Sequence, residues 1–149
     1  MSSSIVLALY ENDFIGNLPD NICEHLPSIQ RLGLGEIPDE IGDLHNLQGL
    51  ALHVNNLNGV IPSRIFNLSM IKFISLFSNQ LSGSLPADIG TGVPDLQQLL
   101  VGDNKLSGTI PTNSFFGFIP MTLRAFTNLQ WLNLQWNNLT IDASIPRFN

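Results

Sequence analysis

Apolar residues along this chain recur in one frame, Leu-x-x-Leu-x-Leu-x-x-Asn-x-Leu, best seen in Leu47, Leu50, Leu52, Asn55 and Leu57 and again in Ile71, Ile74, Leu76, Asn79 and Leu81. The central Leu-x-Leu alternates with a period of two. On a short strand that period sends the leucines inward and their neighbours outward. Each frame runs into Gly-x-Ile/Leu-Pro, which occurs six times, at 16–19, 35–38, 59–62, 83–86, 108–111 and 117–120. Gly permits a tight backbone there, and Pro fixes φ and removes a donor that an irregular segment need not pair. A pattern that returns at this interval predicts a solenoid, because each coil buries its apolar face only against the coils beside it. Successive strands should pair into a parallel sheet on the concave side, with segments such as 65–68 and 89–90 returning over the convex side as short helical or 3₁₀ turns.

The interval holds in the middle of the chain and breaks near both ends. From Asn55 to Asn79 is 24 residues, from Asn79 to Asn104 is 25, from Asn104 to Asn113 only 9, and from Asn113 to Asn137 again 24. Ile29, Leu32 and Leu34 offer a strand that meets Gly35 at once, without an Asn or a fourth Leu, so a shortened coil is expected at 29–46. At 96–128 an enlarged coil is expected, since 113–120 repeats the turn half without its own strand, as a bulge away from the sheet. One domain over 1–149 with about six coils follows. Asn12, Asn55, Asn79, Asn104, Asn113 and Asn137 form an expected ladder, whose amides donate and accept at once and bond the backbone of their own and the next coil. The fold class is an α/β solenoid, a leucine-rich repeat right-handed superhelix with a parallel concave sheet and short 3₁₀, helical or irregular convex segments.

Composition supports a packed core, because 44% of residues are hydrophobic and only 12% charged, too apolar for a disordered polymer. The net charge of −6, with six scattered basic residues, argues against a nucleic-acid partner, which needs a Lys/Arg-rich face. Cys23 is the single cysteine, so no internal disulfide forms; it is expected to be a small buried or half-buried thiol in the first coil. No stretch reaches the roughly 18 apolar residues of a membrane span. The apolar residues at 5–10 already belong to a repeat, so the chain is expected to be a fragment or a truncated gene product without caps.

The Asn-x-Leu-x-Gly-x-Ile-Pro frame resembles the plant-specific class of leucine-rich repeats, over most of residues 5–140. The stretches 85–99 and 128–134 are similar to ectodomains of receptor-like kinases that sense bacterial proteins. The resemblance implies recognition of a peptide or protein ligand, with a co-receptor as a further partner, in defence or development signalling. It implies a parent family at the cell surface and plasma membrane, on the extracellular side. It also leaves open a free-standing inhibitor of the polygalacturonase-inhibitor type, or a truncated remnant. The family's paired cap cysteines, membrane helix and kinase domain have no counterpart in the sequence. Val-Ala-Ile-Lys, His-Arg-Asp and Asp-Phe-Gly do not occur, and Gly90, Thr91 and Gly92 lack the rest of a phosphate loop, so neither an enzyme nor a cofactor is expected.

Function in such a fold lies on the outward strand positions. The expected ligand-binding face carries Tyr10, Glu11, His53, Val54, Phe73, Phe77, Ser78, Asp103, Trp131, Gln135 and Trp136. Its five aromatic rings, on a surface expected to pack nothing internally, suit a peptide or protein partner, because Tyr and Trp supply contact area at small entropic cost. Asn67 and Asn138 head Asn-Leu-Ser and Asn-Leu-Thr sequons, each beside an inward Leu, and are the glycosylation candidates. His25, His45 and His53 are too far apart in the frame for a metal cluster. Ser, His and Asp fall on different faces, so a hydrolytic triad has no support.

Overall fold

The computed structural model describes residues 5–11, 35–86, 89–110 and 126–141. Asn12, Cys23, His25, the strand expected from Ile29, Leu32 and Leu34, Asn113 with its bulge, and the Gly-x-Ile/Leu-Pro copies at 16–19 and 117–120 lie outside the described residues. Seven strands are described: β1 (Ile5–Ala8), β2 (Leu47–Ala51), β3 (Phe73–Ser75), β4 (Gln98–Leu100), β5 (Ser107–Ile110), β6 (Trp131–Asn133) and β7 (Asn138–Ile141). Five of them form one parallel sheet in the order β1-β2-β3-β4-β6. In-register pairing carries Leu50 to Ile74, Ile74 to Leu99 and Leu99 to Leu132. Each Leu of the frame therefore stacks on its counterpart one coil away.

That stacking builds the core. Leu50, Leu52, Leu57, Ile74, Leu76, Leu81, Leu99, Val101 and Leu106 are buried in successive columns, and burying each such side chain contributes roughly 1.5–3 kcal/mol. The convex side closes the column with 3₁₀ turns at Asp39–Asp43 and Ser63–Asn67, each entered from a proline, Pro38 or Pro62, and each burying an Ile, Ile41 or Ile65. An exposed ion pair between Arg64 and Asp43 links the two turns.

Two steps of the sheet are made across longer intervals of sequence. β1 pairs directly with β2, although 42 residues separate Ile5 from Leu47. β4 likewise pairs directly with β6 across the 33 residues from Leu96 to Leu129. Asn137 thus follows Asn104 in the ladder: its Nδ2 donates to Val101 O at 3.0 Å and its Oδ1 accepts from Leu106 N at 2.9 Å.

The asparagines reach towards the preceding coil, where the sequence reading pointed them to the next. Asn79 Nδ2 donates to Leu76 O and Phe77 O of its own coil and to Leu52 O of the coil before, while its Oδ1 accepts from Leu57 N. Asn104 repeats this with Leu76 O and Leu81 N. The backbone runs the other way. Leu52 N, Val54 N, Leu76 N and Ser78 N all donate to carbonyls of the following coil. Each junction is therefore bonded in both directions, side-chain amide to one coil and backbone N–H to the other.

A second ladder flanks the first. β5 pairs with β7 in parallel, and isolated bridges join Glu36 to Asn58 and Val60 to Ser82. The Leu-x-Gly-x-Ile segment, which the sequence reading treated as turn, alternates with period two and so pairs edge to edge. Gly83, at φ 79°, shows why glycine is required: a Cβ there would lie 2.9 Å from Val60 Cγ1, besides being strained in that conformation.

Candidate partner-binding site on the concave face

Residues left over after the inward leucines are assigned form four outward rows across the sheet, fixed by strand pairing. The first holds Val6, Gly49, Phe73, Gln98 and Trp131, and the second Ala8, Ala51, Ser75, Leu100 and Asn133. The third, Tyr10, His53, Phe77, Gly102 and Gln135, lies just past the strands. The fourth is Glu11, Val54, Ser78, Asp103 and Trp136. All five residues of the fourth row hold φ between 52° and 57°, the left-handed region that non-glycine residues seldom adopt. They are held there by the ladder: Glu11 N, Val54 N, Ser78 N and Asp103 N each donate to the next coil, at 2.8–3.2 Å. The bend lets the Asn that follows turn inward while the residue itself stays at the rim of the face.

All eleven sequence-predicted positions lie in rows one, three and four, but their surroundings differ. Tyr10 stacks on His53, with ring centroids 4.6 Å apart and planes 8° from parallel. His53 Nδ1 is buried without a hydrogen-bond partner. Phe73 lies over Gly49: a Cβ on Gly49 would stand 2.6 Å from Phe73 Cζ. Phe73 and Phe77 are half-buried, and Ala51 and Ser75 between the rows are buried. The expectation that these rings pack nothing internally is therefore corrected at Tyr10 and Phe73. At Phe73 the small Gly49 of the neighbouring coil leaves a space that the ring fills, whereas Tyr10 lies on the His53 ring and stays 47% exposed.

Trp131 and Trp136 have no such cover, being 64% and 73% exposed. Between them Asn133 Oδ1 accepts the Gln135 backbone N–H at 3.0 Å, and Gly102 beside it has no room for a Cβ, which would come within 3.0 Å of Asn133 Cγ. Val54, Gln135, Asp103 and Glu11 are exposed at the rim; Ser78 is half-buried, its Oγ donating to Asp103 Oδ2 at 2.6 Å. Gln98, exposed in the row of Trp131, was not picked out from the sequence. Its signal was available, since it precedes the second strand Leu as Phe73 and Trp131 do. The sequon asparagines are exposed, Asn67 at the end of a convex 3₁₀ turn and Asn138 at the start of β7. Among the described residues no three His, Cys, Asp or Glu side chains stand close enough to hold a metal ion, and no helix is long and apolar enough to cross a membrane.

A parallel concave sheet, an asparagine ladder and convex 3₁₀ turns, repeated coil by coil, define this chain as a leucine-rich repeat solenoid. The Leucine Rich Repeat family model matches residues 128–148. The solved structures it resembles include leucine-rich repeat ectodomains of plant receptor kinases. In the complex of BIR3 with SERK2 from Arabidopsis thaliana, one chain is 35% identical over 76% of this chain, with a TM-score of 0.60. The ectodomain of the receptor kinase GASSHO1/SCHENGEN3 from Arabidopsis thaliana, in complex with CASPARIAN STRIP INTEGRITY FACTOR 2, is 33% identical over 90% of it, with a TM-score of 0.65. A plant ice-binding protein is 34% identical over 70% of it, with a TM-score of 0.58. This chain spans 57%, 16% and 31% of those chains respectively, less than two thirds of each. No curated protein sequence matched.

Proposed function

We propose that this chain recognises an extended peptide, or an extended segment of a protein partner, on its concave face, as part of an extracellular receptor surface in plant defence or development signalling. Trp131 and Trp136 carry the reading: two large rings stand exposed, one on β6 and one at the rim just past it, and such anchors dominate peptide and protein recognition. The similar ectodomains crystallised with a protein partner or with CASPARIAN STRIP INTEGRITY FACTOR 2 support recognition as the use of this surface. Their fold-mate that binds ice is the reason to argue from the rows of side chains and not from the fold alone. A co-receptor contact and cell-surface placement belong to the same reading, which the exposed sequons at Asn67 and Asn138 fit.

The test is to pan a displayed library of random peptides, each about twelve residues long, against the chain and against its Trp131→Ala/Trp136→Ala variant. Enriched peptides should bind the variant about tenfold or more weakly, the loss expected for an aromatic anchor, while its melting temperature stays unchanged. Peptides that bind both proteins equally, or no enrichment at all, would overturn the proposal.

A further inference from the structure

The charge on the concave face is one-sided. In the twenty positions of the four outward rows there are two carboxylates, Glu11 and Asp103, and no lysine or arginine. The described cations nearest to these rows are placed elsewhere: Lys72 stands at the opposite end of the strands, ahead of Phe73, and Lys105 Nζ is bonded to Gln80 Oε1 at 3.0 Å. Both carboxylates lie in the fourth row, on the same rim. The Ser78 hydroxyl holds Asp103 through Oδ2 at 2.6 Å, and Oδ1 has no partner among the described residues. Trp136 is Asp103's neighbour in that row, joined by the bond from Asn104 N to Trp136 O at 3.1 Å. An exposed indole beside a carboxylate is a site for a cationic side chain, attracted by the ring's face and by the charge together.

Resting on the peptide-recognition reading above, we infer that the occupant of this face is a free, extended, basic peptide, with two Lys or Arg side chains placed to meet Asp103 and Glu11. The spacing follows from the sheet. Glu11 and Asp103 are three strand intervals apart, about 14 Å at ~4.8 Å per strand, and an extended chain covers that distance in about four residues at ~3.3 Å each. An even separation puts both side chains on the same side of the peptide. The ligand therefore crosses the strands with its cations at i and i+4, and its intervening apolar side chains meet Val54 and Phe77. The five described strands span about 19 Å, room for about six extended residues.

The experiment reads the charge of the peptides enriched in the panning above and measures them, by fluorescence anisotropy, on three proteins: the natural chain, Asp103→Asn and Glu11→Gln. Asn at 103 retains an acceptor for Ser78 and Gln at 11 is nearly isosteric, so the melting temperatures should match. Lys/Arg pairs at i and i+4 should dominate, and each substitution should weaken them by about threefold or more, with affinity falling as salt rises. Replacing the peptide's lysines by glutamine should remove that difference between the three proteins. Enriched peptides that are neutral or acidic, or that bind the three proteins equally, would overturn the inference and leave peptide recognition standing. Absence of any tryptophan-dependent binder would overturn both.

Discussion

Phe73 and Trp131 occupy the same place in the repeat, two strands apart in one row, and their surroundings separate them. Phe73 lies over Gly49 and is half-buried; Trp131 has the long side chain of Gln98 beside it and is 64% exposed. The same contrast runs through the core. Leu76 and Leu99 are fully buried in the middle coils, whereas Leu132 and Leu134 in the last described coil are only partly so. The frame decides which way a side chain points, and the coil next door decides whether anything is left for a partner to touch.

The core contrast carries the largest expected effect. Leu76→Ala should cost about 2–5 kcal/mol of unfolding free energy, as large-to-small changes at fully buried sites do, and Leu132→Ala distinctly less. Urea denaturation of the two variants measures the difference, and equal losses would mean that the last coil is packed like the interior. A smaller effect is expected at Gly49, where Val would drive its side chain into the Phe73 ring and cost about 1–3 kcal/mol by overpacking. The same denaturation experiment checks it, and a neutral result would show that Phe73 is free to leave its neighbour. The smallest change in stability should follow Trp131→Ala, under about 0.5 kcal/mol as for an exposed position. A larger loss would place Trp131 among the structural rings, with Phe73.

The repeat was legible in the sequence because its signals are local. Leu-x-Leu, the Asn that follows and the positive-φ glycines all fall within one coil, and the core columns and most of the convex turns appear where those residues predict them. The second ladder was not read, because Gly and Pro mark turns more strongly than the alternation of Leu106, Gly108 and Ile110 marks a strand. The fate of the aromatic rings was not legible at all. Whether Tyr10 is free depends on His53, and whether Phe73 is free depends on Gly49, partners that become neighbours only once the number of residues per sheet step is known. That number changes from 24 or 25 in the middle coils to 43 between β1 and β2 past the register shift and 33 between β4 and β6.

The backward reach of the asparagines bears on how such a molecule is assembled during synthesis. Leu57 N is capped only when Asn79 has been made, Leu81 N only when Asn104 has been made, and Leu106 N only when Asn137 has been made. Each newly translated coil completes the one that left the ribosome before it. The solenoid is thus built to lock in the direction of translation, every coil serving first as the growing tip and then as a finished layer.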